Sequence, residues 1–255
     1  MFHEDSNEGL HTDNDGMQYN NPTIIFTNSK SFYLGIPPRS RFIVKVFLTN
    51  VLQIYLSMLM TALVFVKSKF IIALDKHSWV GFILSLISIG ATIAIFIIQR
   101  FPHLKFLTDL FYTLFTFSFA GVVTFLSINV EEIFIFISWM MAIILSVILF
   151  LVGIKIKHSL VTYLNSFLIY AACVMLIIFG LALASSFKVH GVEWAIGPLV
   201  LAIVIPASLI EAQLLCGGRE IYYRFEDYIL ASMVHLFLIT LSFGGFIYLF
   251  INVKL

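Results

Sequence analysis

Residues 133–153 read IFIFISWMMAIILSVILFLVG. The run has no charged side chain and, at about 1.5 Å per helical residue, is long enough to cross a hydrocarbon core of about 30 Å. Lipid offers no partners for the backbone, so a spanning segment is a helix or a strand of a closed barrel. A barrel strand alternates apolar and polar residues with period two, and this run does not alternate. Residues 133–153 therefore predict a transmembrane helix, and that reading sets how the rest of the chain is taken.

Working outward, six more windows of similar character appear, at about 46–66, 79–98, 106–128, 162–184, 195–215 and 228–250. The links between them are short, which makes consecutive helices antiparallel neighbours. The expected fold is an all-α polytopic membrane protein, a seven-transmembrane-helix bundle over residues 41–255. Composition agrees: 60% of the 255 residues are hydrophobic, 11% are charged, and the mean hydropathy is +1.02. A soluble domain carries about 25% charged residues, so this chain cannot clothe its surface in polar groups and takes lipid as a partner. A net charge of +1 lacks the basic footprint that nucleic-acid binding requires. Cys173 and Cys216 both sit in apolar runs, at a spacing that suggests neither a disulfide framework nor a metal site.

The start of the chain is different. Residues 1–40 are polar and rich in Asn, Asp, Ser and Thr, with no apolar core behind a basic start. They read as a disordered cytosolic tail without a cleavable signal. Gly35-Ile36-Pro37-Pro38 punctuates the entry to the first span. With the N-terminus inside, inner segments hold ten basic residues (among them Arg39, Arg41, Lys45, Lys155 and Lys157), and outer segments hold five (Lys67, Lys69, Lys76, Lys188 and Lys254). That bias predicts N-in and C-out. Span six carries Pro198, Pro206 and Glu211, so a kink is expected near Pro206, and a broken or re-entrant segment is the alternative.

Charges within spans are costly and mark candidate functional residues. Lys45 sits at a helix entrance and can snorkel. Asp109 lies in the first turn of span three near Arg100 and Lys105, which suggests an interfacial ion pair or a helix-start charge. Glu211 lies about five residues, roughly 7 Å, inside the end of span six. An isolated carboxylate there has to be protonated, paired or facing water, in a functional or a purely structural role. His235 lies about seven residues, roughly 10 Å, into span seven from the same membrane face. The 217–227 loop joins the two helices, so both side chains sit at similar depth. No HExxH, GxSxG or GxGxxG occurs, and the other histidines fall in the tail, at loops or at span ends. The expectation is therefore a protein that is not an enzyme and holds no metal or cofactor.

Several stretches resemble the transmembrane Bax-inhibitor-motif family, its lifeguard branch especially. Residues 41–47 (RFIVKVF) with Gln53 look like the family's basic, aromatic entry to the first helix. Arg100-Phe101-Pro102 is similar to its basic-Phe-Pro loop. Residues 210–218 (IEAQLLCGG) resemble the acidic-x-Gln-Leu segment that closes helix six, and Tyr222, Glu226-Asp227-Tyr228-Ile229 and Ala231 resemble the motif that opens the last helix. The resemblance implies a seven-helix bundle of intracellular membranes, in the endoplasmic reticulum or Golgi or alternatively at the plasma membrane. It implies a Ca²⁺ leak, restraint of cell death, and apoptosis-regulating membrane proteins as partners. It also implies a gate built on two acidic residues. Glu211 matches the first acidic position; the second falls on Leu238, and Val44 and Phe47 also depart from the motif, so this chain reads as a divergent member. His235, three residues before Leu238, shares its helix face, so a Glu–His pair is the expected proton-sensitive replacement. A non-conducting interaction protein is the competing reading. A seven-helix receptor is disfavoured by the missing Asp-Arg-Tyr-like triplet after span three and Asn-Pro-x-x-Tyr in span seven.

Overall fold

The computed structural model describes residues 38–66, 76–77, 79–98, 101, 104–128, 130–186, 193–217, 222–223 and 227–253. The chain divides into two compact units, Met1–Gly35 and Ile36–Leu255. The first lies outside the described residues, as does the expected tail up to residue 37, whereas residues 38–40, expected to belong to that tail, begin the first helix.

Seven long helices follow one another in the second unit: α1 Pro38–Val66, α2 Trp79–Ile98, α3 Lys105–Ser127, α4 Glu132–Lys155, α5 Leu164–Ser186, α6 Glu193–Cys216 and α7 Tyr228–Val253. A single 3₁₀ turn, Leu160–Tyr163, leads into α5. All seven are long and apolar enough to cross a membrane, and the chain is a multi-pass α-helical membrane protein. The helices begin and end close to the windows read from hydropathy, with one difference. α1 starts at Pro38, well before the apolar run at 46, because proline suits the first helical turn and Arg39 and Arg41 can extend the helix through the headgroup region.

α7 is the centre of the bundle. It packs against α6, α4 and α1, and 56% of its apolar window is buried, against 6% for α5. α5 rests on α6 and turns Leu168, Ile169, Leu176 and Phe179 outward, while α2 pairs with α3 and does the same with Phe82, Leu86 and Ile93. Those side chains meet lipid, which explains why α2, α4 and α5 read as apolar all round. The main core joins Ile95 and Phe119 to Trp139, Leu236 and Phe243. Trp139 stacks on Phe243 with ring centroids 4.4 Å apart.

Helix α6 is continuous through both prolines, so the broken-segment alternative does not occur. Pro206 has no N–H to donate to the Ala202 carbonyl one turn earlier. The Tyr170 hydroxyl of α5 donates to that carbonyl at 3.3 Å, supplying the partner that the proline removed. Between α4 and α6 the approach is close: a Cβ on Gly153 would stand 2.6 Å from the Ala212 Cβ and 3.0 Å from the Leu209 carbonyl oxygen. Only glycine lets these two helices meet there, one residue away from Glu211 along α6.

Candidate functional site

Glu211 and His235 are both 3% exposed and face each other across the α6–α7 contact. Glu211 Oε2 lies 2.9 Å from His235 Nδ1. The other ring nitrogen, Nε2, lies 3.4 Å from the Ser146 hydroxyl of α4. The imidazole is further held edge-on by Phe47 of α1, with ring centroids 4.9 Å apart, and Phe47 in turn packs edge-on against Phe150 at 4.9 Å. Four helices therefore fix one histidine.

Ser146 was silent in the sequence, one serine in an apolar run. Its geometry is unlike that of its peers. Ser57, Thr61, Ser88, Ser127 and Ser242 each bond back to the carbonyl four residues earlier, as hydroxyls in apolar helices do. Ser146 instead turns to the histidine. The order carboxyl–imidazole–hydroxyl occupies both ring nitrogens, so the pair can hold its proton on either side of the short contact while the far nitrogen keeps a partner. The second oxygen of the carboxylate, Glu211 Oε1, is buried and has no hydrogen-bond partner among the described residues.

Two side chains tie down the loops around this site, Gln213 and Arg39, which the sequence shows only as part of a motif and as a basic residue. Gln213 accepts from the Leu160 N–H at 2.8 Å and donates to the His158 carbonyl at 2.9 Å, which pins the turn between α4 and α5. Arg39 donates to the carbonyls of Leu214 at 2.6 Å and Tyr223 at 2.7 Å, and its guanidinium lies over the rings of Phe42 and Tyr222. Gly217, at φ 70°, ends α6 in the left-handed conformation that glycine adopts without strain. A Cβ there would also press on Arg39 at about 3.1 Å. Beneath this strap, Phe42, Val46, Leu215 and Ala231 form a small core with Tyr223 at its edge. Burial pushes the Tyr223 phenol well above the usual tyrosine range, and the charges of Glu211 and Asp227 push it the same way, so Tyr223 stays neutral.

The remaining candidates fall elsewhere. Asp109 is exposed in the first part of α3; its main-chain carbonyl accepts from Thr113 Oγ1 at 2.9 Å, and its carboxylate forms no ion pair among the described residues. Arg100, its expected neighbour, lies outside the described residues, as do Pro102 and Glu226 of the family-like motifs. Lys45 sets its ammonium 3.3 Å from the centre of the Tyr228 ring, a cation–π contact at the helix entrance. Gln53 joins three helices, donating to Thr116 at 3.2 Å and accepting from Ser232 at 3.1 Å. Leu238, at the position of the missing second acid, is buried. No group of three or more histidine, cysteine or acidic residues able to hold a metal occurs among the described residues.

No family model, no curated protein and no solved structure matches the chain. The fold and this site define its class as a seven-span membrane protein with a buried carboxyl–imidazole pair where α6 meets α7, the most buried of the described helices.

Proposed function

We propose that this protein is a channel-like regulator that leaks Ca²⁺ across an intracellular membrane, of the endoplasmic reticulum or Golgi, and thereby restrains cell death, in the manner of the Bax-inhibitor-motif family. One observation carries the proposal: Glu211, at the acidic position of the resemblance, meets His235 at 2.9 Å inside a seven-helix bundle. An ionisable pair at such depth is costly for stability alone, which argues for a role. The carboxyl–imidazole contact holds α6 to α7, and a proton added to the carboxyl removes its charge, which weakens the hydrogen bond between them. Among the described residues, Ser146 of α4 and Phe47 of α1 pack on His235, and Tyr223, which feels the Glu211 charge, stays neutral.

Calcium flux into proteoliposomes tests this. The expected outcome is a leak that rises as the pH falls, with a flattened pH profile in His235→Ala. Leu238→Asp places an acid one turn from His235 and restores the two-acid arrangement, with a pH profile of its own. Flux no greater than in protein-free liposomes would overturn the proposal. The second reading would then stand, a non-conducting interaction protein that keeps the fold. The buried Leu238 and the almost wholly outward-facing α5 favour that reading.

A further inference from the structure

Helix α6 is held to α7 in two different ways along its length. Near its start the two backbones touch: a Cβ on Gly197 would stand 2.8 Å from the Gly245 carbonyl oxygen. Leu249 lies close over Gly197, and Leu201 lies close over Gly245. A contact of backbone on backbone, closed by side chains, has no slack, so this end is fixed. Some 14 residues on, roughly 21 Å along the helix, the link to α7 is the hydrogen bond between Glu211 and His235.

Pro206 lies between these two contacts. It leaves the Ala202 carbonyl without a main-chain donor, and the Tyr170 hydroxyl of α5 closes that turn at 3.3 Å. A turn short of one main-chain bond bends more readily than its neighbours. Beyond it, residues 207–216 form an arm about 15 Å long. The arm has room on one side. A cleft of about 460 Å³ opens between α5 and α6, with Tyr163, Phe167 and Tyr170 on one wall and Pro206, Leu209 and Ile210 on the other. Close packing elsewhere makes such a space the direction in which a segment moves.

The other bonds of the arm allow that direction. Gln213 ties it to the turn at His158 and Leu160, and Leu160 borders the same cleft. Arg39 grips the Leu214 carbonyl with a long side chain rather than through backbone. Toward α4, Ala212 abuts Gly153, a contact that opposes approach and not separation.

We propose that residues 207–216 of α6 are a hinged arm. The arm turns about Pro206 from α7 toward α5 when the Glu211–His235 contact is lost, while the Gly197–Gly245 contact holds the rest of the helix in place. A bend of about 20° carries the tip of a 15 Å arm through about 5 Å. The inference rests on the pair as the link between α6 and α7, and not on ion passage.

The test is a distance measured by electron–electron double resonance in the full chain in nanodiscs. With Cys173→Ala, one spin label sits on Cys216 at the tip of the arm and the other on Phe106→Cys, an exposed position at the start of α3. α3 packs on α1 and α2, away from α5, so a swing toward α5 lengthens this distance. His235→Ala should lengthen it by about 5 Å. Adding Pro206→Ala, which restores the main-chain bond, or Ser166→Trp, which fills the cleft, should return it to the starting value. Labels on Trp194→Cys and Tyr248→Cys, near the fixed end, should keep their separation throughout. An unchanged 106–216 distance in His235→Ala, a lengthening that persists with Pro206→Ala, or an equal shift at 194–248 would each overturn the hinge. If His235→Ala does not fold, Glu211→Leu breaks the same contact without leaving a charge buried, and the same outcomes decide. No ion flux enters this readout, so the hinge and the Ca²⁺ leak fail separately.

Discussion

At the scale of single residues, the chemistry of this protein is concentrated where an apolar helix carries one ionisable group. Glu211 and His235 each stood out because nothing like them shares their span, and the depth argument placed them level. What periodicity cannot supply is the partner on a third helix. Ser146 looks like any small residue used for packing, and only the coordinates show it turned away from its own carbonyl toward His235 Nε2 at 3.4 Å. The energetic expectation follows from the burial of both partners. His235→Leu leaves the Glu211 carboxyl unpaired and should cost about 3–5 kcal/mol, whereas Glu211→Met with His235→Leu replaces the pair by apolar groups and should cost far less. Thermal unfolding in detergent of the single and double variants measures the difference. With Glu211→Met measured alone as well, a double variant whose loss equals the sum of the two single losses would show that the two residues are not energetically coupled.

At the scale of helices, hydropathy made every span legible, because lipid imposes length and polarity on each segment separately. It could not show how the segments accommodate their own defects. Pro206 predicted a disturbance in α6, and the structure answers it from outside that helix, through Tyr170. Tyr170→Phe should cost about 0.6 kcal/mol, the average for an interhelical hydrogen bond in a membrane. In a Pro206→Ala background the Ala202 carbonyl regains a main-chain donor, so the same change should cost nothing measurable. An equal loss in both backgrounds would mean that Tyr170 acts by packing alone. Gly153 was likewise a single letter at the end of an apolar run. Because a Cβ there would meet Ala212 and the Leu209 carbonyl, Gly153→Val should push α4 from α6, with a loss of the 1–3 kcal/mol typical of overpacking. It should also lower the expression of folded protein more than Gly90→Val, where an added Cβ meets nothing within 4 Å.

At the scale of the whole molecule, the hydrogen bonds that close its loops define its two ends. Arg39 reaches Leu214 and Tyr223, and Gln213 reaches His158 and Leu160, so the start of α1, the α4–α5 turn and the α6–α7 loop gather at one end. Val66 and Glu132 border a single cleft, so the end of α1 and the start of α4 lie together at the other. Arg39, Arg41, Lys155 and Lys157 thus share an end, opposite Glu131 and Glu132, and the distribution of positive charge predicts that the basic end faces the cytosol. Inserting a reporter into the 156–160 turn would disturb the bonds made by Gln213, so single cysteines at exposed positions are the gentler probe. In a background with Cys173 and Cys216 replaced by alanine, Lys157→Cys and Glu131→Cys both place a thiol on exposed positions. In intact cells with the plasma membrane selectively permeabilised, a membrane-impermeant maleimide should label Lys157→Cys at once. Glu131→Cys should react only after the inner membranes are dissolved. Labelling of both before dissolution would break the seven-span topology. Labelling of Glu131→Cys alone would keep the bundle and reverse its orientation, placing the Arg39 strap and the Glu211–His235 end on the luminal side.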